Sequence, residues 1–281
     1  MEEQSNIFES NWNLDAEKLN LEQRECFNNV YNSSIGVEPQ LFFLDGPGGT
    51  GKTFTYNVLI SRLRQEGHIC LAVASSGIAA ELLIGGRTAH SRFKIPTDLT
   101  SESYCNIRPQ SKLAKLIKKA KLIVWDEAPM THKHVFDAVQ RTLQDITQSS
   151  APMGGITTLF GGDFRQCLPV IPRASRNQLV RSSIKRSKMW RHVKTFELLQ
   201  NMRVLEGGQN HIDFLMDIGN GVLSTFAIPE DLKQNSLDEL IDFVYPNVNQ
   251  IQSNSVILTT KNKTVELINT LILERLNGEA R

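Results

Sequence analysis

The chain has 281 residues, 40% hydrophobic, 22% charged and 7% aromatic, a composition that can bury a substantial core and excludes a disordered polymer. Its formal net charge of +1 hides an asymmetry: residues 1–45 carry nine acids against Lys18 and Arg24, residues 204–250 carry eight acids against Lys233, and residues 164–196 carry nine Lys or Arg and no acid. A basic block between acidic ones favours a polyanion on one face. Cys26, Cys70, Cys105 and Cys167 form no CxxC pair, which argues against a zinc ribbon or a disulfide framework. No apolar run approaches the roughly 18 residues of a membrane span. Glu2, Glu3, Glu9, Asp15 and Glu17 are wrong for a signal or transit peptide, so a soluble cytosolic or nuclear protein without a membrane partner is expected.

In chain order, short apolar runs bounded by turn residues predict strands at 41-LFFLD-45, 69-ICLAVA-74, 121-KLIVW-125, 156-ITTLFG-161, 195-TFELL-199 and 255-SVILTT-260. Helical spacing falls between them over 53–66, 111–120 and 133–147. This alternation predicts the α/β class, a parallel sheet with helices on both faces. From about residue 204 the chain turns acidic and gains Gly207, Gly208, Gly219, Gly221, Pro229 and Pro246, which predicts a connecting segment over 204–254. A new strand-then-helix signal runs over 255-SVILTTKNKTVELINTLILERL-276.

The segment 46-GPGGTGKT-53 fits GxxxxGK[ST] in full, after a strand and before a helix. Gly46, Gly48, Gly49 and Gly51, with Pro47 and Thr50 between them, let the loop turn tightly and aim successive backbone N–H groups at a triphosphate. Lys52 is placed to reach the β and γ phosphates and the Thr53 hydroxyl to bind Mg²⁺. An acid at the end of a second strand is also needed, and 122-LIVWDEAPM-130 supplies two. Asp126 is expected to hold Mg²⁺ through its water shell, and Glu127 to polarise the attacking water. His132 and His134 lack nearby Cys or carboxylate ligands at metal spacing and read as a helix start.

With these motifs in place, the sequence resembles the Pif1-like DNA helicases of superfamily 1, in particular arthropod and transposon-associated members, from 19-LNLEQ-23 to about residue 276. The resemblance implies a P-loop NTPase fold with a RecA-like motor domain. It gives Gln23 the adenine edge, although on its own Gln23 is a polar residue of a short amphipathic helix. The stretch 72-AVASSGIAAELLIGGRTAHSRFKIP-96 is similar to the family's Ia region, which meets single-stranded DNA. Ser75, Ser76 and Gly77 would offer small side chains and N–H groups to phosphates, while His90 and Phe93 would hydrogen-bond or stack; the other reading buries Phe93 in the core. The segment 160-FGGDFRQCLPV-170 resembles motif III and makes Gln166 the γ-phosphate sensor, with Asp163 and Arg165 orienting its loop. The segment 198-LLQNMR-203 resembles motif IV and makes Arg203 an arginine finger.

The resemblance implies an N-terminal tail over 1–18, a RecA-like motor domain over 19–203, and over 255–281 the start of a second RecA-like domain whose remainder full function requires. The implied activity is an ATP-dependent DNA helicase moving 5′ to 3′ on single-stranded DNA, with Mg²⁺ and ATP, serving DNA repair, recombination or telomere maintenance in the nucleus. The expectation for 1–281 alone is nucleotide binding without unwinding. The alternative is a non-catalytic remnant that binds only nucleotide or DNA.

Overall fold

The computed structural model describes residues 12–203, 208–222, 225, 227–228, 230, 233–248 and 255–276. It divides into two units, Met1–Val222 and Leu223–Arg281.

The first unit is built on apolar runs too continuous for a half-exposed sheet. The helices α1 (Trp12–Glu17) and α2 (Leu21–Ile35) lead into β1 (Leu41–Asp45), and α3 (Lys52–Gln65) leads to β2 (Ile69–Ala74). Short α4 (Gly77–Glu81), β3 (Arg87–Thr88) and α5 (Ala89–Phe93) follow, then α6 (Lys112–Lys118), β4 (Ala120–Asp126), α7 (Lys133–Thr147) and β5 (Thr157–Gly162). The unit closes with α8 (Arg176–Ser182), β6 (Val193–Glu197) and α9 (Gln209–Asn220). All six strands are parallel, in the order β3-β2-β4-β5-β1-β6.

Each strand alternates its side chains between two cores, as both faces of a parallel sheet must be covered. One core joins Phe43, Val73, Trp125 and Phe160 to Phe93 of α5 and Phe136 of α7; the other joins Leu44, Val124 and Leu159 to Tyr56 and Leu59 of α3 and Phe27 of α2. Helix starts are set by side-chain caps: Ser111 for α6, His132 for α7, whose Nδ1 accepts from the His134 amide at 3.1 Å, and an Asn20/Gln23 capping box for α2.

In the second unit, α10 (Leu237–Val244) starts at a Ser236 cap, and α11 (Asn262–Arg275) ends with Arg275 paired to Asp238 and Asp242. The expected strand over 255–260 is absent: among the described residues no ladder partner meets it, and Val256 and Leu258 are 66% and 86% exposed. A strand needs a neighbour to satisfy its N–H and C=O groups, and an apolar run does not supply one.

Trp125 is fully buried, with ring centroids 4.7 Å from Phe136, 5.7 Å from Phe93 and 6.3 Å from Phe160. Truncation there leaves a cavity at the centre of one core. Trp125→Ala is expected to lower the unfolding free energy by about 3–5 kcal/mol, read from the urea midpoint at unchanged slope.

Candidate nucleotide site

The loop after β1 turns through Gly49 and Gly51, whose φ values are +89° and +81°. A Cβ at Gly51 would lie 2.4 Å from Nε2 of Gln23, so glycine is required there by both conformation and space. Gln23 is 1% exposed; its Nε2 donates to the Thr50 carbonyl at 3.0 Å and its Oε1 accepts from the Asn20 amide at 3.0 Å. The carboxamide thus braces the loop through its oxygen and one of its two N–H donors. The Lys52 ammonium donates to the carbonyls of Gly46 and Pro47. Thr53 lies half-buried in the first turn of α3.

Asp126 and Glu127 stand at the C-terminal end of β4. Asp126 is 4% exposed, and its Oδ1 accepts from the Glu127 amide at 2.9 Å. Burial pushes its carboxyl above the ordinary value, against the pull of that hydrogen bond and of Lys52. Glu127 is half-buried and holds a left-handed φ of 53°, a strain of about 1–3 kcal/mol for a residue with a side chain. Its carboxyl is pushed up first by burial and then by Asp126, while Lys52 draws it down. Strand β5 lies between β1 and β4, so the phosphate loop and the acid pair are separated by two strand spacings, about 9.5 Å.

That interposed strand delivers the third component. After β5, Asp163 Oδ1 accepts from Arg165 Nε at 2.6 Å, and its Oδ2 accepts from Gln166 Nε2 at 3.4 Å. Arg165 Nη2 also pairs with Asp45 at the end of β1, at 3.5 Å. Arg165 therefore ties the ends of two strands together, and Asp163 holds the Gln166 side chain. The fourth component follows β6: Met202 N donates to the Gly49 carbonyl at 2.8 Å and Asn201 Nδ2 to that of Gly48 at 3.2 Å, which sets exposed Arg203 beside the loop.

Pro47, Gly48, Gln166 and Arg203 border one cavity of about 430 Å³, closed on its far side by His211, Ile212, Leu215 and Met216 of α9. The α9 wall was not anticipated. Its apolar residues recur at helical spacing inside a segment whose acids and glycines suggested a connector. A second cavity, of about 760 Å³, lies among Ser33, Lys118, Lys121 and Gly155 at the N-terminal ends of the central strands, away from these groups.

The family model described as PIF1-like helicase matches residues 18–229. The chain belongs to the PIF1-like helicase family. It is 31% identical to the ATP-dependent DNA helicase PIF1 of Homo sapiens over 183 residues, covering 60% of this chain and 28% of that protein. Against the ATP-dependent DNA helicase RRM3 of Saccharomyces cerevisiae it is 26% identical over 93% of this chain and 34% of that one. The crystal structure of Bacteroides Pif1 bound to single-stranded DNA is 26% identical, with a TM-score of 0.67 over 90% of this chain and 55% of that chain. The chain thus spans about a third or less of these curated relatives. The Pif1 likenesses cover the parallel-sheet P-loop fold, which is RecA-like.

Of the family's Ia residues, Phe93 and Ser75 are corrected. Phe93 is 1% exposed and stacks on Trp125, so it belongs to the core and not to a DNA surface. Ser75 Oγ accepts from Trp125 Nε1 at 3.1 Å and lies 2.7 Å from Thr131 Oγ1, while its N–H donates to the Asp126 carbonyl, so it knits the ends of β2 and β4. The Ser76 hydroxyl caps α4, leaving Gly77 and His90 as the exposed members of the set. In the acid-free block, Arg165 is spent on the Asp45 and Asp163 pairs and Lys185 rests on the Phe164 ring at 3.8 Å; Arg173, Arg176, Arg181, Arg186, Lys188 and Arg191 are exposed.

Burial raises the Asp126 and Glu127 carboxyls in the folded state from ordinary values of 3.8 and 4.5. The folded chain therefore binds protons more readily than the unfolded one between those values and the raised ones, and stability falls as pH rises through that window. Asp126→Asn keeps the acceptor for the Glu127 amide and removes a buried charge. It is expected to raise the unfolding free energy at pH 7 by about 1 kcal/mol, a gain that shrinks as pH falls toward 4, as urea unfolding at several pH values will read.

Proposed function

We propose that this chain carries the nucleotide-hydrolysing motor module of an ATP-dependent DNA helicase that moves 5′ to 3′ on single-stranded DNA. The observation that carries the reading is the convergence of the phosphate loop, Asp126 with Glu127, Gln166 and Arg203 at one edge of one parallel sheet. Backbone N–H groups of 46–53 and Lys52 hold the phosphates. Glu127, its carboxyl pushed up by burial and by Asp126, accepts a proton from the attacking water. Gln166 meets the γ phosphate from the loop that Asp163 and Arg165 hold, and Arg203 offers positive charge to the transferring group.

The oxygen donors Thr53 and, through its water shell, Asp126 suit Mg²⁺ and would hold it. Bound there, the ion would supply positive charge against the phosphates. Single-stranded DNA is the polymer expected, since the relatives are named DNA helicases and the Bacteroides protein holds single-stranded DNA. Gly77, His90 and the exposed bases of 173–191 are the surfaces assigned to it.

ATP hydrolysis by the purified chain with and without single-stranded DNA tests the reading. Turnover stimulated by DNA is expected. Lys52→Ala should lower it by about 100-fold or more, and Glu127→Gln by about 10²–10⁴-fold while nucleotide still binds. Turnover that survives in Lys52→Ala would refute the assignment, and binding without turnover in the unaltered chain would favour the non-catalytic alternative.

A further inference from the structure

One buried hydroxyl beside the acid pair has no partner. Tyr56, one turn into α3 after Lys52, is fully buried, and its phenol oxygen makes no hydrogen bond. The sheet register locates that oxygen. Leu44 pairs with Gly161, and Trp125 pairs with Phe160, so one residue further along Gly161 lies opposite Asp126. A Cβ built on Gly161 would sit 1.6 Å from the Tyr56 oxygen. The phenol therefore occupies the place of the side chain that Gly161 lacks.

Asp126 is in the same row and on the same face. Trp125 points into the core beneath α7 and Val124 into the core beneath α3, so alternation turns Asp126 toward α3 as well. With adjacent strands about 4.8 Å apart, the phenol oxygen stands about 5 Å from the Asp126 β-carbon, within reach of its carboxylate directly or through one water. Leaving a hydroxyl buried and unpaired is costly, whereas phenylalanine would fill the same space without that penalty. The Tyr56 hydroxyl also loses its proton less readily than an ordinary phenol, through burial first and the Asp126 charge next, so it stays a donor.

We propose that Tyr56 is a positioning residue of the nucleotide site: unpartnered in the free chain, its O–H donates to the Asp126 carboxylate, directly or through one water, when nucleotide binds, and holds the rotamer in which Asp126 receives the hydrated Mg²⁺ of that nucleotide. This rests on the nucleotide-site reading above. Gly161 is part of the device, because any side chain there would displace the phenol.

Calorimetric titration of ADP into the full chain, in excess Mg²⁺ and in EDTA, tests it with Tyr56→Phe. The variant should melt at the same temperature or higher and bind ADP unchanged in EDTA. The gain in affinity that Mg²⁺ confers should fall about three- to tenfold. An unchanged Mg²⁺ gain, or an equal loss with and without Mg²⁺, would overturn the assignment, the second outcome marking Tyr56 as packing only. Failure of the unaltered chain to bind ADP would instead overturn the nucleotide-site reading and, with it, this inference.

Discussion

A loop that turns its backbone N–H groups inward toward an anion must turn its carbonyls outward, and each carbonyl then needs a donor from elsewhere. Loop 46–51 meets that demand in full. Lys52 donates to the carbonyls of Gly46 and Pro47, Asn201 to Gly48, the Met202 amide to Gly49, Gln23 to Thr50, and Thr55 to Gly51. These donors come from α2, α3 and the segment after β6, which explains why elements far apart in sequence crowd around six residues. The loop is held from below by Gln23 and from above by 201–203, and Arg203 arrives beside the phosphate position because its neighbours already serve as donors. A buried carbonyl without such a partner would cost more than a typical hydrogen bond contributes, so the arrangement is a packing requirement before it is a functional one.

The same edge of the sheet carries several unfavourable features of the fold. Asp126 is buried with a single backbone donor, Glu127 carries a left-handed backbone, and the Tyr56 hydroxyl has no acceptor. The opposite edge has strained turns of its own, with left-handed Gln148 and Met153, and the strands between bury their side chains in two aromatic and aliphatic cores. What sets the acid edge apart is that its strained and unpartnered groups are the polar ones a charged ligand would meet.

Much of this was legible in the residues. Continuous apolar runs locate β1, β2, β4 and β5 to within a residue or so, because a strand covered on both faces tolerates few polar side chains. The loop 46–53 and the pair Asp126/Glu127 declare themselves by residue type, since only glycines, a lysine and two strand-end acids serve that chemistry. Strand order is not written in any local pattern, so the placement of β5 between β1 and β4, which sets the gap between loop and acids, emerges only from the structure. The expected roles of Ser75 and Phe93 failed for a shared reason: a motif gives residue type and position but not whether the side chain faces inward, and each of these meets an inward demand first. The run at 255–260 has strand composition but meets no pairing strand among the described residues, while α9 has an amphipathic pattern that its acids and glycines concealed. Tyr56 carries no signal at all until the register sets its oxygen against Gly161.

The central claim is that the backbone of the loop after β1 is a phosphate cradle coupled to the acid pair on β4. The most direct measurement is the change in backbone amide resonances of the isotopically labelled chain on adding Mg·ADP. The account predicts the largest shifts at Gly48–Thr53, with a second group at Asp126 and Glu127 that is lost when Mg²⁺ is withheld. Shifts centred on Lys118–Lys121 at the N-terminal ends of the central strands, or no saturable shift in the loop, would contradict it.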